Sequence, residues 1–270
     1  MPELPEVETI VRGLTPELTA RRITSVLVRD GRLRTPIAPD FATALSGRRI
    51  QALRRHGKFM LTELDDGRLW LVHLGMSGRL TLAPSTRPDR LHDHVVLRLD
   101  DDRLVTYNDP RRFGRLAVID ATSVAAETVA GVDALSDELT AAHLFAVSRR
   151  RRTSVKALLM DQRLVAGLGN IYVSEILFLA GIRPRRAAGR LRAVDCDVLL
   201  AATRSVLADA IARGGSSISD YRDGFDGFGS YQDHHQVYGR KDEPCHRCGA
   251  PIRSIVVTGR STFWCANCQR

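Results

Sequence analysis

The sequence lacks any apolar run that approaches the length of a membrane-spanning helix, and its N-terminus lacks the basic-then-apolar pattern of a secretory signal. A helix needs about 20 consecutive apolar residues to cross a bilayer, and a secretory signal needs its own apolar stretch. These absences exclude an integral helical membrane protein and predict a cytoplasmic protein.

Acidic residues are in short supply relative to basic ones. The chain has 40 Lys plus Arg against 31 Asp plus Glu, and its pI is about 9.9. Such an excess favours a polyanionic partner, with nucleic acid ahead of a membrane surface. With 270 residues, of which 44% are hydrophobic, the chain is long enough for two domains with a substantial core.

Cysteines are few, and their spacing argues against a disulfide framework. Four of the five form the pattern Cys245-x2-Cys248-x16-Cys265-x2-Cys268. In a cytoplasmic chain this spacing predicts one structural Zn²⁺ ion bound by four thiolates, with no coordination position left open for catalysis. The residues between the pairs predict two strands around Gly259. The fifth cysteine, Cys196, is predicted to be a packed free thiol.

The N-terminal half combines one amphipathic helix with a β-rich segment. A stripe at helical spacing (Leu4, Val7, Val11 and Leu14) predicts the helix. Short apolar or alternating runs predict strands across residues 21–119, with Asp100–Asp102 as a hairpin turn. A two-layer antiparallel sandwich is the simplest way to bury these runs. We place a linker at 121–133.

The C-terminal half is predicted to be helical up to its cysteines. Thr153 or Ser154 is expected to cap one helix, Asn170 to cap a second over Ile171–Ala180, and a third to span about Ala193–Ala212. The Gly-rich turn before Asn170 makes the first two a helix-turn-helix unit. Residues 216–243 have no regular period, which predicts a mobile functional loop.

The first residues carry a possible nucleophile. If Met1 is removed, Pro2 presents a free secondary amine beside Glu3, and such an amine can form an iminium with an aldehyde-like sugar carbon. The alternative is that Pro2 and Pro5 simply begin a helix, and taken alone this stretch favours that alternative. The positive end of the helix disfavours an ammonium there, whereas Glu3 and Glu6 favour it, so the balance stays open.

Three motifs, in order along the chain, carry a family resemblance. They are the opening PELPEVE, the string Met160-Asp-Gln-Arg-Leu-Val-Ala-Gly-Leu-Gly-Asn-Ile-Tyr172, and the four cysteines. Together they resemble the formamidopyrimidine-DNA glycosylase and endonuclease VIII family, and PELPE favours the former branch. The resemblance implies an α+β fold: an N-terminal antiparallel β-sandwich flanked by helices (1–125), a helical domain with a helix-two-turn-helix and a lesion-capping loop (126–243, loop 216–243), and a β-hairpin zinc ribbon (244–270).

The resemblance also implies roles for individual residues. Pro2 is the nucleophile and Glu3 the acid/base, while Glu6 is a structural part of the site. Lys58 and Arg260 are supporting groups, although Lys58 read alone is a solvated strand-end lysine. The remaining roles are a wedge that fills the vacated stack (Met76, Arg111, Phe113), DNA contacts (His92, Arg111, Arg151, Lys156, Asn170) and the lesion loop (Ser217, Tyr231).

Two departures from the family pattern are visible. Arginine stands at position 151, where the family has lysine, and Gly229-Ser230-Tyr231 stands where it has Gly-Tyr-Phe. Arginine keeps the charge and binds phosphate bidentately. The loss of one aromatic ring from this stretch of the lesion loop predicts weaker stacking on a flipped purine.

The implied function is bifunctional. The enzyme excises oxidised purines (8-oxoguanine and formamidopyrimidines) from duplex DNA and then cleaves the abasic strand by β,δ-elimination. The implied partner is damaged double-stranded DNA, bound by a monomer in the bacterial cytoplasm and nucleoid, with zinc and no organic cofactor. Two alternatives stay open: an endonuclease VIII-like glycosylase for oxidised pyrimidines, and a non-catalytic protein that binds damaged DNA.

Overall fold

The chain divides into two compact units, one of which is discontinuous in sequence. In the computed structural model, which describes residues 1–128, 131–218 and 220–270, one unit comprises Met1–Thr128 with Arg213–Ser230, and the other Val129–Ala212 with Tyr231–Arg270. The predicted boundaries at 125 and 243 remain a prediction. No helix in the described ranges is long and apolar enough to cross a membrane.

The first unit is built on two four-stranded antiparallel sheets. One has the order β1-β6-β7-β5 and the other β2-β3-β4-β8. The strands are β1 (Ile23–Val28), β2 (Ile50–His56), β3 (Phe59–Leu64), β4 (Arg68–His73), β5 (Arg79–Ala83), β6 (Asp93–Leu99), β7 (Leu104–Asn108) and β8 (Arg115–Asp120). The predicted sandwich is confirmed, and β6 and β7 pair through the predicted turn.

Both sheets and helix α1 (Leu4–Leu18) contribute to one apolar core. The predicted stripe of α1 is buried in it, together with alternate residues of both sheets such as Trp70 and Val95. Alternation places every second residue of a strand on one face, so the second sheet buries another set, including Leu61 and Leu71, on its opposite face.

Two short helices complete the first unit. They are α2 (Phe41–Leu45) and α3 (Val124–Thr128), the latter preceded by a 3₁₀ turn at Ala121–Ser123. The predicted linker at 121–133 therefore contains regular structure. Val124 packs against the outer apolar cluster of the second sheet, and this burial stabilises a helix too short to form alone.

The second unit is helical apart from two small strand pairs. Its helices are α4 (Ala141–Ser148), α5 (Val155–Met160), α6 (Asn170–Leu179) and α7 (Ala193–Ala212). Strands β9 (Val132–Asp133) and β10 (Val165–Ala166) pair in parallel, and β11 (Ile252–Val257) and β12 (Arg260–Cys265) form the hairpin between the cysteine pairs.

The start of α6 differs from the prediction. Ser154 caps α5 as expected, since its side chain accepts a hydrogen bond from the backbone N–H of Ala157. The prediction that Asn170 caps the next helix is wrong, because the N-cap is Gly169 and Asn170 is the first helical residue. The side chain of Asn170 is thereby available for other contacts.

Candidate active site and metal centre

Buried polar groups surround the start of α1. Pro2 is buried, and Glu3, Glu6 and Lys58 expose 4%, 1% and 6% of their surface. Lys58 is therefore not the solvated strand-end lysine of the alternative interpretation, because it lies buried in the turn between β2 and β3. Buried charged side chains are rare unless they are paired or functional.

Glu6 ties α1 to the segment that follows α7. One carboxylate oxygen accepts from the backbone N–H of Glu3 at 2.7 Å, and the other accepts from the backbone N–H of Ser216 at 2.7 Å. The hydroxyl of Tyr221 donates to the backbone carbonyl of Glu6 at 3.3 Å. The carboxylate of Glu6 is thus held by backbone donors, as a structural part of the group.

Gly215 makes this contact possible. A Cβ atom at this position would lie 2.7 Å from the Glu6 carboxylate, and the backbone has φ +79°. Only glycine adopts that conformation without strain and leaves room for the carboxylate. The Gly-Gly pair that ends α7 therefore serves the site as well as the helix terminus.

The electrostatics of the group favour a neutral amine. Partial burial lowers the pKa of the α-amino group of Met1, and nearby Lys58 lowers it further, whereas Glu3 and Glu6 oppose the shift. Removal of Met1 would place the Pro2 amine at the same end of α1. For the Met1 amine, the effects that lower the pKa outweigh those that raise it.

The proposed wedge residues lie on two neighbouring loops of the first unit. Met76 lies between β4 and β5, and Arg111 and Phe113 lie between β7 and β8. Met76 is 38% exposed and Phe113 43% exposed, with the guanidinium of Arg111 4.9 Å from the centre of the Phe113 ring. Large apolar side chains held in solvent on short loops are typical of a binding surface. His92 lies on the adjoining turn, partly exposed with φ +70°.

In the second unit, Lys156 lies inside the protein and bonds to groups of the same unit. Its side chain is completely buried. Its ammonium donates to Asn170 Oδ1 at 2.5 Å, to Thr262 Oγ1 at 2.7 Å and to the carbonyl of Ser261 at 3.3 Å. Lys156 thereby joins α5 and α6 to the β-hairpin, and its contact with DNA stays a prediction.

Asn170 also contacts the β-hairpin directly. The amide of Asn170 donates to the carbonyl of Ser261 at 3.0 Å, and the exposed Arg260 is the neighbouring residue at the hairpin turn. Arg151 is also exposed, and its Nε donates to the carbonyl of Val147 at 2.7 Å.

The four paired cysteines form a metal site. Their sulfur atoms all lie within 4.8 Å of one another, with Cys245 and Cys268 at 3.9 Å and Cys248 and Cys265 at 3.5 Å. Zinc–sulfur bonds of about 2.3 Å in a tetrahedron place sulfurs roughly 3.8 Å apart, so the donor set fits a structural Zn²⁺. Cys196 is a buried free thiol, as predicted.

The predicted lesion loop contains different exposed aromatics from those expected. Tyr231 is buried against Tyr172 and His235, and its role in the lesion loop stays a prediction. Ser217 lies within the loop and accepts from the backbone N–H of Gly229 at 2.9 Å.

The aromatic rings that this loop does expose are Phe225 and Phe228, at 52% and 71%, and the guanidinium of Arg222 lies 3.7 Å from the centre of the Phe228 ring. Sequence reasoning missed them, although their placement between Gly224, Gly227 and Gly229 was a usable signal.

Comparisons with known proteins cover the whole chain. Three family models match: the formamidopyrimidine-DNA glycosylase N-terminal domain at 1–116, the formamidopyrimidine-DNA glycosylase H2TH domain at 130–222, and the zinc finger found in FPG and IleRS at 242–270. The formamidopyrimidine-DNA glycosylase of Chloroflexus aggregans is 47% identical over 271 residues, which span 100% of this chain and 98% of the relative.

Two similar solved structures are complexes of the Lactococcus lactis enzyme with DNA. One holds N7-benzyl-Fapy-dG containing DNA, with a TM-score of 0.91 and 35% identity over 100% of both chains. The other holds an oxidized pyrimidine containing DNA, with a TM-score of 0.90 and 34% identity over 100% of both chains. On its full-length identity and its three matching domains, this chain belongs to the formamidopyrimidine-DNA glycosylase family.

Proposed function

We propose that this protein is a base excision repair enzyme that removes oxidised purines, including formamidopyrimidines, from duplex DNA and then cleaves the abasic strand. The observation that carries the proposal is the buried group of Pro2, Glu3, Glu6 and Lys58 in a member of this family. The lowered pKa of the terminal amine supports a nucleophile at this end of α1.

The chemistry begins with a base flipped out of the stack. After removal of Met1, the Pro2 nitrogen attacks C1′ of the sugar while the bond from C1′ to the base breaks, and the base leaves with the proton that the Pro2 nitrogen loses. Glu3 donates a proton as the sugar ring opens, and the product is an iminium between C1′ and Pro2. The iminium acidifies the C2′ protons. Loss of one expels the 3′ phosphate, and a second elimination expels the 5′ phosphate.

The basic groups of the second unit have a separate role in this proposal. Asn170 and Arg260 contact the DNA backbone, while the buried Lys156 bonds to Asn170 and to the hairpin residues that follow Arg260. The exposed Arg151 adds a further phosphate contact, and His92 one from the first unit. Each neutralised phosphate releases counterions, so binding falls with salt.

A specific observation also favours oxidised pyrimidines as substrates. A relative of the same fold was solved with an oxidized pyrimidine containing DNA. In this chain the ring-bearing part of the loop is Phe225–Phe228 rather than Tyr231. Aromatic rings in this loop can stack on a purine or a pyrimidine, because every base has a π-face. The purine activity is therefore proposed as the main one and the pyrimidine activity as secondary.

Excision assays on matched duplexes test the proposal. The duplexes carry 8-oxoguanine, a formamidopyrimidine or an oxidised pyrimidine opposite the same partner base. We expect release of both purine lesions and cleavage on both sides of the abasic site, and Glu3→Gln should lose base release while still binding DNA. A clear preference for the pyrimidine would favour the endonuclease VIII-like alternative, and binding without cleavage would favour the non-catalytic one.

A further inference from the structure

Asp109, which directly follows β7, is a completely buried carboxylate outside the chemistry proposed above. One oxygen accepts from the hydroxyl of Ser77 at 2.6 Å. The other accepts from the backbone N–H of Gly114 at 2.9 Å and from the hydroxyl of Tyr107 at 3.1 Å. Ser77 belongs to the loop that carries Met76, and Gly114 to the loop that carries Arg111 and Phe113.

The backbone of Asp109 reaches a third segment. Its N–H donates to the carbonyl of His92 at 3.2 Å, and its carbonyl accepts from Nε2 of the buried His94 at 2.8 Å. The hydroxyl of Ser77 in turn accepts from the backbone N–H of Arg111 at 3.2 Å. One residue therefore links the three segments that carry the proposed wedge and the His92 contact.

The two wedge loops are also packed backbone against backbone. A Cβ atom at Gly75 would lie 2.4 Å from the backbone carbonyl carbon of Phe113. A Cβ atom at Gly78 would lie 2.8 Å, and one at Gly114 1.7 Å, from the hydroxyl of Tyr107. Closely packed interiors transmit displacement rather than absorb it. The two loops are therefore in close contact with each other at Gly75 and with the Tyr107 hydroxyl at Gly78 and Gly114.

Side chains that enter the base stack can displace a base only if they keep their own position while they do so. Met76 and Phe113 lie on short loops and expose 38% and 43% of their surface, so the part that would enter the stack has no protein packed against it. Their stiffness must come from the groups beneath them, as with any side chain whose geometry is fixed by its supporting contacts. Asp109 is a buried group that bonds to all three segments, through Ser77, Gly114 and the carbonyl of His92.

We propose that Asp109 is a positioning residue that makes the Met76 loop, the Arg111–Phe113 loop and the His92 turn one rigid wedge, and so sets the rate of base extrusion. It does not set the rate of the covalent chemistry at Pro2. This inference rests on the proposed function, since extrusion matters only to a protein that flips bases.

The first test uses the free protein. Asp109→Asn keeps the shape of the side chain but replaces one of its two acceptor oxygens with an NH2 donor, so it cannot accept from Ser77 on one side and from Gly114 and Tyr107 on the other. Hydrogen exchange of the amides should speed up by about tenfold or more in both peptides 74–79 and 109–115. The matched control is Asp101→Asn, at the turn between β6 and β7, and it should leave both peptides unchanged. Faster exchange confined to 109–115 would overturn the coupling.

The second test separates extrusion from chemistry. With 8-oxoguanine paired to cytosine, single-turnover base release by Asp109→Asn should fall by about tenfold or more. With a preformed abasic site, which needs no base extruded, strand cleavage should stay within about twofold of the wild type. Tyr107→Phe, which removes one donor and keeps the ring, should lie between. An equal loss on both substrates, or no loss on either, would overturn the proposal.

A fluorescent base placed beside the lesion reports unstacking without requiring cleavage. Binding of the wild type should raise its fluorescence, and Asp109→Asn should raise it more slowly. If the wild type unstacks the base but releases nothing, the proposed function fails and this inference stands. If the wild type does not unstack the base at all, this inference fails.

Discussion

Replacement of Lys156 by methionine discriminates between two roles for a buried cation. The substitution keeps the length of the side chain and removes three donated hydrogen bonds, to Asn170, Ser261 and Thr262. If Lys156 were a phosphate contact, its loss would weaken DNA binding and leave the fold intact. If it is an internal tie, its loss should destabilise the second unit.

The structure sets the expected size of that effect. Each hydrogen bond from a charged donor contributes about 1.5–3 kcal/mol. Asn170 and Ser261 are partly or fully exposed, so water can replace the donor there, and only the Thr262 hydroxyl is left buried. Removal of the buried ammonium also recovers part of its desolvation cost. We expect a net loss of about 2 kcal/mol, which lowers the Tm by roughly 5–10 °C.

Two measurements decide the question. Calorimetry gives the Tm, and a salt titration of binding to duplex DNA gives the slope of log K against log salt. We expect Lys156→Met to lower the Tm and leave the slope unchanged, whereas the control Arg151→Ala should lower the slope by about 0.9 with little change in Tm. An unchanged Tm with a slope reduced by about one for Lys156→Met would refute the internal tie.

Three further predictions follow from the buried groups. Gly215→Ala should cost roughly 2–4 kcal/mol of stability and most of the activity, because the methyl group meets the Glu6 carboxylate at 2.7 Å in a left-handed backbone. Denaturant unfolding measures the stability and base release measures the activity. The control is Gly47→Ala, also at positive φ but with open space around it, which should keep its activity. Cys245→Ser, or chelation, should release one zinc per chain and abolish DNA binding while β1–β8 stay folded; a metal-free protein that binds DNA normally would contradict the assignment. Burial lowers the pKa of His73 and of His235 to about 4. The unfolded chain therefore binds more protons between pH 6.5 and 4, and stability is lost as the pH falls through that window, by up to about 3 kcal/mol for each histidine. Unfolding at pH 7 and pH 5 tests this, and His73→Asn should make stability depend less on pH.

Elements with strong local signals were predictable from the sequence. The stripe of α1, the capping serine of α5 and the extent of α7 depend on residues close together in the chain, and all agree with the structure. The cysteine spacing fixed the metal site for the same reason, because each pair lies on one turn at an end of the β11–β12 hairpin.

The contacts that the sequence did not indicate concern side chains whose partners are distant in sequence. Lys156 is a basic residue beside an Arg run, and its burial depends on a hairpin 105 residues further on. Tyr231 was assigned to the lid by its neighbours, yet its ring packs on Tyr172 of α6. The role of Asp109 likewise depends on Ser77, which is 32 residues away. Patterns along the chain carry no information about such pairs.

The central claim is that Pro2 is the covalent nucleophile, and reductive trapping tests it most directly. Borohydride added while the protein turns over DNA with 8-oxoguanine, or with an abasic site, reduces an iminium to a stable amine. Proteolysis and mass spectrometry then locate the cross-link. The account predicts a single protein–DNA adduct at residue 2 of a chain that has lost Met1, with Lys58→Met still forming it. An adduct at Lys58 or another lysine, or strand cleavage by a chain that forms no adduct, would contradict it.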